Sequence, residues 1–331
     1  MGADRSAAPS ITVISGGVGA ARFLRGLISE VADPALITAV VNTGDDCILH
    51  GLSISPDLDT ITYTLADAID PGRGWGLVDE TWTAMAALER FEAVRPAGSA
   101  AAPRWFNLGD KDLATHFYRT ARLREGASLT DVTDEIRRAW DVPIRIMPMS
   151  DDRLSTMVTV VDGDEQTEIS FQDYFVRLRH DADVVAVRFD GQAALSPSAG
   201  EALDADVVVI APSNPLVSIG PIRSLDGVDD ALAARRDSVV AVSPIVGGVA
   251  LKGPADRMLR AAGIDVSVVG VASLYAPIAG TLVIDHADAH LADAVEAAGL
   301  RCLVVDTVMR SPDVARELAH ATVDAARHRA R

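Results

Sequence analysis

Several loops with the residue types for chemistry each follow an apolar run. The run Ile11–Ser15 leads into Gly16-Gly17-Val18-Gly19-Ala20-Ala21-Arg22. Glycines placed there let backbone N–H groups approach phosphate oxygens, and a helix starting at that point adds the positive end of its dipole. Arg22 stands where a dinucleotide-binding turn has its third glycine. The next strand ends in Asn42 rather than in the acidic residue that would hold a ribose. The turn therefore suits a phosphate and not a nicotinamide cofactor.

Two acidic loops follow, Asn42-Thr43-Gly44-Asp45-Asp46 and Ser55-Pro56-Asp57-Leu58-Asp59-Thr60. Turn chemistry and dipole complementarity account for any one of these Asp residues. Four of them beside a phosphate-binding turn would repel a polyphosphate unless a hard cation such as Mg2+ stood between. One metal bridging a diphosphate and one or two carboxylates is the economical expectation. Further on, Leu108-Gly109-Asp110-Lys111-Asp112-Leu113-Ala114-Thr115-His116 enters a helix that continues through Arg119. Asp110 or Asp112 would cap it, and His116, a lone histidine on a helix, reads as structural. Lys111 and Arg119 offer positive charge to a phosphate or phenolate. In Pro212-Ser213-Asn214-Pro215, two prolines fix φ and pre-form a loop with a hydroxyl, an amide and N–H donors. Ser243-Pro244-Ile245 and Lys252-Gly253-Pro254 resemble it in kind. No Walker phosphate loop, nucleophile elbow or zinc-protease helix occurs.

These loops need a scaffold, and the apolar pattern supplies one. Strands are expected at Ile11–Ser15, Ile37–Asn42, Thr156–Val161, Val184–Phe189, Val207–Ala211, Val239–Ser243, Val266–Val271, Thr281–Asp285 and Cys302–Asp306. Amphipathic stretches alternate with them, with Thr130 and Ser311 placed as N-caps and Gly263 and Gly299 as stops. The expected fold is α/β, a doubly wound, mostly parallel Rossmann-like sheet. Residues 1–71 and 154–331 would form this core. Residues 72–153, where strand signals are scarce, read as a mostly helical insertion covering the active-site edge, with Arg95–Pro103 an exposed loop.

Charge narrows the partners. The 331 residues carry 30 Lys and Arg against 47 Asp and Glu, a net charge of −17, which disfavours nucleic acid and anionic membrane surfaces. Cys47 and Cys302 are too few and too distant for a thiol metal site, and no apolar run is long enough to span a membrane. Met1–Ser10 reads as a polar leader, although Met1-Gly2 through Ser6 fits a loose myristoylation pattern. A cytoplasmic protein is expected.

Taken in order, the motifs resemble the 2-phospho-L-lactate transferase family of coenzyme F-420 biosynthesis. Besides the loops above they include His50-Gly51-Leu52 and Pro148-Met149-Ser150-Asp151-Asp152. The resemblance spans essentially the whole chain. It implies Mg2+-assisted transfer of a three-carbon phospho-acid from a guanosine-diphosphate-linked donor to the terminal ribityl hydroxyl of the deazaflavin Fo, with GMP leaving, in a homodimer. The actinobacterial look of the sequence favours the enolpyruvyl over the lactyl donor. By motif, Gly17 and Gly19 would cradle donor phosphates, with Asn42 also in the substrate site, and Ser213 and Asn214 would line the guanosine or diphosphate site. Asp45, with Asp57 or Asp59, would hold Mg2+, and Asp59 and Lys111 would contact Fo. Asp57, Asp59 and Lys111 are thus the expected catalytic residues. Lys111 stands where the family commonly has Arg, keeping the charge without the bidentate fork. The competing readings are a non-catalytic nucleotide-sugar-binding regulator and an NAD-dependent oxidoreductase.

Overall fold

The computed structural model describes residues 8–97, 99, 101, 105–163, 165–251 and 253–327. Most of the polar leader, part of the Arg95–Pro103 loop and Lys252 lie outside them. In chain order the strands are β1 Ile11–Ser15, β2 Ile37–Val41, β3 Cys47–Leu49, β4 Leu52–Ile54, β5 Arg145–Pro148, β6 Ser155–Asp162, β7 Glu165–Ser170, β8 Asp183–Asp190, β9 Val207–Ile210, β10 Val239–Val242, β11 Ile245–Val246, β12 Val249–Ala250, β13 Thr281–Ile284 and β14 Arg301–Val304. The α-helices are α1 Gly17–Glu30, α2 Pro56–Leu65, α3 Thr83–Glu92, α4 Asp112–Arg124, α5 Leu129–Ala139, α6 Pro197–Ala202, α7 Gly220–Arg223, α8 Val228–Ala234, α9 Ala255–Ala261, α10 Val268–Tyr275, α11 Ala292–Ala297 and α12 Pro312–Arg327.

Every residue of β1, β2, β9, β10 and β13 is buried. Strands apolar on both faces need a cover on both faces, and helices crossing between parallel strands provide it. The sheet is parallel throughout, in the order β14-β13-β10-β9-β1-β2-β5. One core packs around Phe23, Leu24, Leu27 and Leu318 of α1 and α12, and the other around Leu232, Leu259 and Tyr275. From β1 the chain runs outward to β2 and β5, then returns to β9 on the other side of β1 and runs outward again. The direction reverses between β1 and β9, so the loops after Ser15 and Ile210 open a crevice where such sheets bind ligands.

The structure departs from the expected elements at several points besides the short strands β3, β4, β7, β11 and β12, none of which was expected. β5 lies inside 72–153 and is an edge strand of the main sheet; four residues ending in Pro148 make a weak signal. Val266–Val271 is not a strand. Ser267 accepts the N–H groups of Val269 and Gly270 and starts α10 there, and a short buried run carries no period to separate helix from strand. Strands β6 and β8 lie apart from the parallel sheet, in an antiparallel sheet where β7 and β8 flank β6. Ser128, not Thr130, caps α5, by accepting from the Asp131 N–H. Among the described residues, no helix is long and apolar enough to cross a membrane.

Candidate active site

At the crevice, the β1 turn and the loop after β9 pack backbone against backbone. A Cβ on Gly19 would lie 2.2 Å from the Pro212 carbonyl oxygen, and one on Gly16 would lie 2.7 Å from Ser218 Cβ. Ser213 Oγ donates to the Gly16 carbonyl at 2.7 Å. Gly19 and Ser213 thus hold the two halves of the sheet together. Gly17 takes a positive φ of 68° and opens α1, its N–H facing the Asp57 carboxylate. In the same loop, Asn214 Oδ1 accepts the N–H groups of Leu216 and Val217, while its buried Nδ2 has no partner among the described residues.

Asn42, fully buried at the end of β2, gathers the acidic loops. Its Oδ1 accepts the Gly44 N–H at 2.8 Å; its Nδ2 donates to Asp57 Oδ2 at 3.0 Å and to Asp45 Oδ2 at 3.3 Å. Asp45 therefore shares its partner with Asp57, not with Asp59. Asp46 Oδ2 accepts from Ser55 Oγ at 2.6 Å, which draws the two loops together and explains why Ser55 starts α2 without capping it through its side chain. Burial, and then the Asp57 charge beside it, push the Asp45 carboxyl well above the usual carboxylate range. Burial does the same to Asp46, with Asp59 and Asp57 adding to it, and pushes Asp57 up to about 6. Asp45 Oδ1 and Asp46 Oδ1 are buried with no hydrogen-bond partner among the described residues. Orphaned carboxylate oxygens with a raised proton affinity fit a hard divalent cation.

Asp59 is balanced differently. Arg119 of α4, 1% exposed, donates to Asp59 Oδ2 from Nη1 at 3.1 Å and to Oδ1 from Nη2. Arg119 Nη1 also donates to the Ser53 carbonyl at 3.3 Å and lies 3.2 Å from His116 Nδ1. His116 Nε2 is 3.2 Å from Asp112 Oδ2, and Tyr63 donates its hydroxyl to Asp112 Oδ1 at 2.6 Å. Asp59, Asp112 and His116 each offer a ligand atom within 4.8 Å of the others, a grouping able to hold a divalent metal. A buried guanidinium already sits on two of the three. Among the described residues the Asp45–Asp57 pair has no cation beside it, which makes it the better place for an oxygen-seeking ion.

Lys111, expected to contact Fo, is exposed, and its Nζ donates to the Val78 carbonyl at 2.9 Å. The cap of α4 also differs from expectation. Glu80 accepts the Lys111 and Asp112 N–H groups, while Asp110 caps α3 by accepting those of Thr83 and Ala84. The buried cation of the site is Arg119. Its signal was its spacing from Asp112 and His116, at i+7 and i+3 on one helix face.

Comparison with known proteins places the chain among α/β transferases. Residues 11–320 match the model of 2-phospho-L-lactate transferase CofD, and the chain belongs to that family. It is 42% identical over 314 residues to a phosphoenolpyruvate transferase of Kitasatospora aureofaciens, covering 93% of this chain and 95% of that one. To a phosphoenolpyruvate transferase of Mycolicibacterium smegmatis it is 40% identical over 329 residues, covering 96% and 98%. A crystal structure of protein BH3568 from Bacillus halodurans shares the fold, with a TM-score of 0.60 at 17% identity, covering 96% of this chain and 100% of that one.

Proposed function

We propose that the protein transfers a phosphoenolpyruvyl group from enolpyruvyl-diphospho-5'-guanosine to the terminal ribityl hydroxyl of the deazaflavin Fo, releasing GMP and forming the dehydro form of coenzyme F-420-0. The lactyl-linked donor is the alternative substrate. One observation carries the reading: Asp57 lies against the Gly17 N–H at the start of α1, with Asp45 on the same Asn42 amide. A diphosphate drawn to that turn meets two carboxylates, so it needs a cation that the same carboxylates can hold. Asp45 and Asp57 would hold Mg2+, which when bound neutralises charge on the diphosphate and on the departing GMP.

The chain's own groups do the positioning that phosphoryl transfer requires. The helix start at Gly17 offers the positive end of the α1 dipole, its own N–H already facing Asp57, and Asn214 Nδ2, unpartnered among the described residues, offers a donor to the guanosine or diphosphate. Asp59, with both oxygens already accepting from Arg119, orients the ribityl hydroxyl through its remaining lone pairs. The hydroxyl oxygen bonds to the phosphorus bearing the enolpyruvyl group while its proton passes to solvent or the departing phosphate, the bond from that phosphorus to the bridging oxygen breaks, and GMP leaves. The reading includes a cytoplasmic homodimer; Cys47 and Cys302 are free thiols, in keeping with a reducing compartment. Single-turnover mass spectrometry with Fo, Mg2+ and each donor tests the proposal. A mass gain matching phosphoenolpyruvyl with GMP release is expected. Nucleotide binding with no product from either donor would instead point to a regulatory module.

A further inference from the structure

We infer that His116 is a positioning residue: its Nδ1 accepts a hydrogen bond from Arg119 and so fixes the guanidinium that holds Asp59. The inference rests on the reading of Asp59 as the group that orients the attacking hydroxyl. Arg119 Nη1 lies 3.2 Å from His116 Nδ1, with both side chains fully buried. A guanidinium has donors only, so that contact is a hydrogen bond only if Nδ1 is bare. The ring proton then belongs on Nε2, which faces Asp112 Oδ2 at 3.2 Å, and Asp112 is itself held by the Tyr63 hydroxyl at 2.6 Å. Along the line Tyr63–Asp112–His116–Arg119–Asp59, Tyr63 and the His116 Nε2 side both converge on Asp112, while Arg119 donates outward to His116 Nδ1 on one side and to Asp59 on the other.

The need for such a prop is visible at Arg119. Its Nε is buried without a hydrogen-bond partner among the described residues, where Asp59, the Ser53 carbonyl and His116 orient the fork. Without the imidazole acceptor, Nη1 keeps Asp59 Oδ2 and a longer contact to Ser53, and the guanidinium is free to turn about its Cδ–Nε bond. Asp59 turns with it, and an orienting carboxylate that rotates loses alignment with the hydroxyl rather than affinity for the substrate.

The test compares three substitutions in the full-length protein, assayed with Fo, enolpyruvyl-diphospho-guanosine and Mg2+. His116→Asn puts an amide oxygen where Nδ1 stood, whereas His116→Gln and His116→Leu do not. Loss of an acceptor to a buried charged group predicts kcat about 10- to 100-fold lower for the Gln and Leu variants, with KM for both substrates within about threefold. The Asn variant should recover kcat to within about threefold of the parent protein. A folded His116→Leu protein with parental kcat, while Asp59→Asn is inactive, overturns the inference alone. Parental turnover by Asp59→Asn overturns the reading beneath it. Nitrogen NMR of the histidine rings reads the same link without catalysis. A bare Nδ1 and a protonated Nε2 on His116 are expected, and a proton on Nδ1, or a Co2+ absorption band showing that His116 ligates metal, overturns the inference.

Discussion

Crowding Asp45, Asp46 and Asp57 should make the metal-free protein more stable in mild acid than at neutral pH. For Asp57 the carboxyl rises from 3.8 to about 6 on folding, so the folded state binds the proton more tightly than the unfolded chain. The resulting stability is complete below pH 3.8 and is lost as pH rises through about 6. At about 1.36 kcal/mol per pH unit the full effect is about 3 kcal/mol, of which about 1.4 kcal/mol is present at pH 5 and almost none at pH 7.5. Unfolding entropy of about 2.1 cal/mol/K per residue gives about 0.7 kcal/mol/K for 331 residues. Asp57 alone then raises Tm by about 2 °C between pH 7.5 and pH 5, and Asp45 and Asp46 add in the same direction. Staying above pH 5 avoids Asp110 and Glu135, whose carboxyls are held down to about 2 and whose stabilisation fades only in stronger acid. The assay is calorimetry in EDTA across that range, repeated with Mg2+. A cation at 100 times its Kd adds about 2.7 kcal/mol, or about 4 °C, at pH 7.5 and less at pH 5, where protons compete. Asp57→Asn should flatten the pH dependence and shrink the Mg2+ effect. A Tm that falls from pH 7.5 to pH 5 in EDTA, with no rise on adding Mg2+, would refute the reasoning.

Three further outcomes are expected. Asp59→Asn should lower turnover at least about 100-fold while guanine-nucleotide binding, followed by calorimetry, is retained; normal turnover would remove Asp59 from the mechanism. Arg119→Lys, which replaces a buried two-pronged fork with a point charge, should reduce kcat far more than Lys111→Met, and the reverse order would restore Lys111 as the cation of the site. Gly19→Ala, which drives a Cβ into the Pro212 carbonyl, should cost about 1–3 kcal/mol in denaturant unfolding and weaken nucleotide binding; an unchanged midpoint would mean that the β1 turn and the Pro212 loop are not in contact.

The sheet was largely legible in the sequence because its central strands are unbroken apolar runs, and the loops of the site because glycine and proline mark them. The buried run at Val266–Val271 misled, since a segment apolar on every side shows no face and only the Ser267 cap decides for a helix. Edge strand β5 begins at the exposed Arg145 and ends at Pro148, which leaves only Ile146 and Met147 as apolar signal. In the site, glycines read as a phosphate cradle also have a packing duty, Gly19 against Pro212 most of all. The match of Arg119 with Asp59 spans 60 residues of sequence, and charge type alone made Lys111 an equal candidate. Only the packing of α4 over the β3–β4 hairpin, with Arg119 reaching the Ser53 carbonyl, separates a buried cation from a solvated one.

The place of β1 in the middle of the sheet bears on how the chain is made. Its neighbour on one side, β2, emerges from the ribosome soon after it, but its neighbour on the other, β9, begins only at Val207. During synthesis of everything between, β1 presents an open edge and uncovered apolar side chains, a template for wrong pairing. The Ser213–Gly16 bond that closes the crevice joins residues 197 apart, so the crevice is completed only after nearly two-thirds of the chain has been translated. A nascent chain stalled before β9 is therefore the form of this protein most exposed to aggregation, and the one most in need of a chaperone.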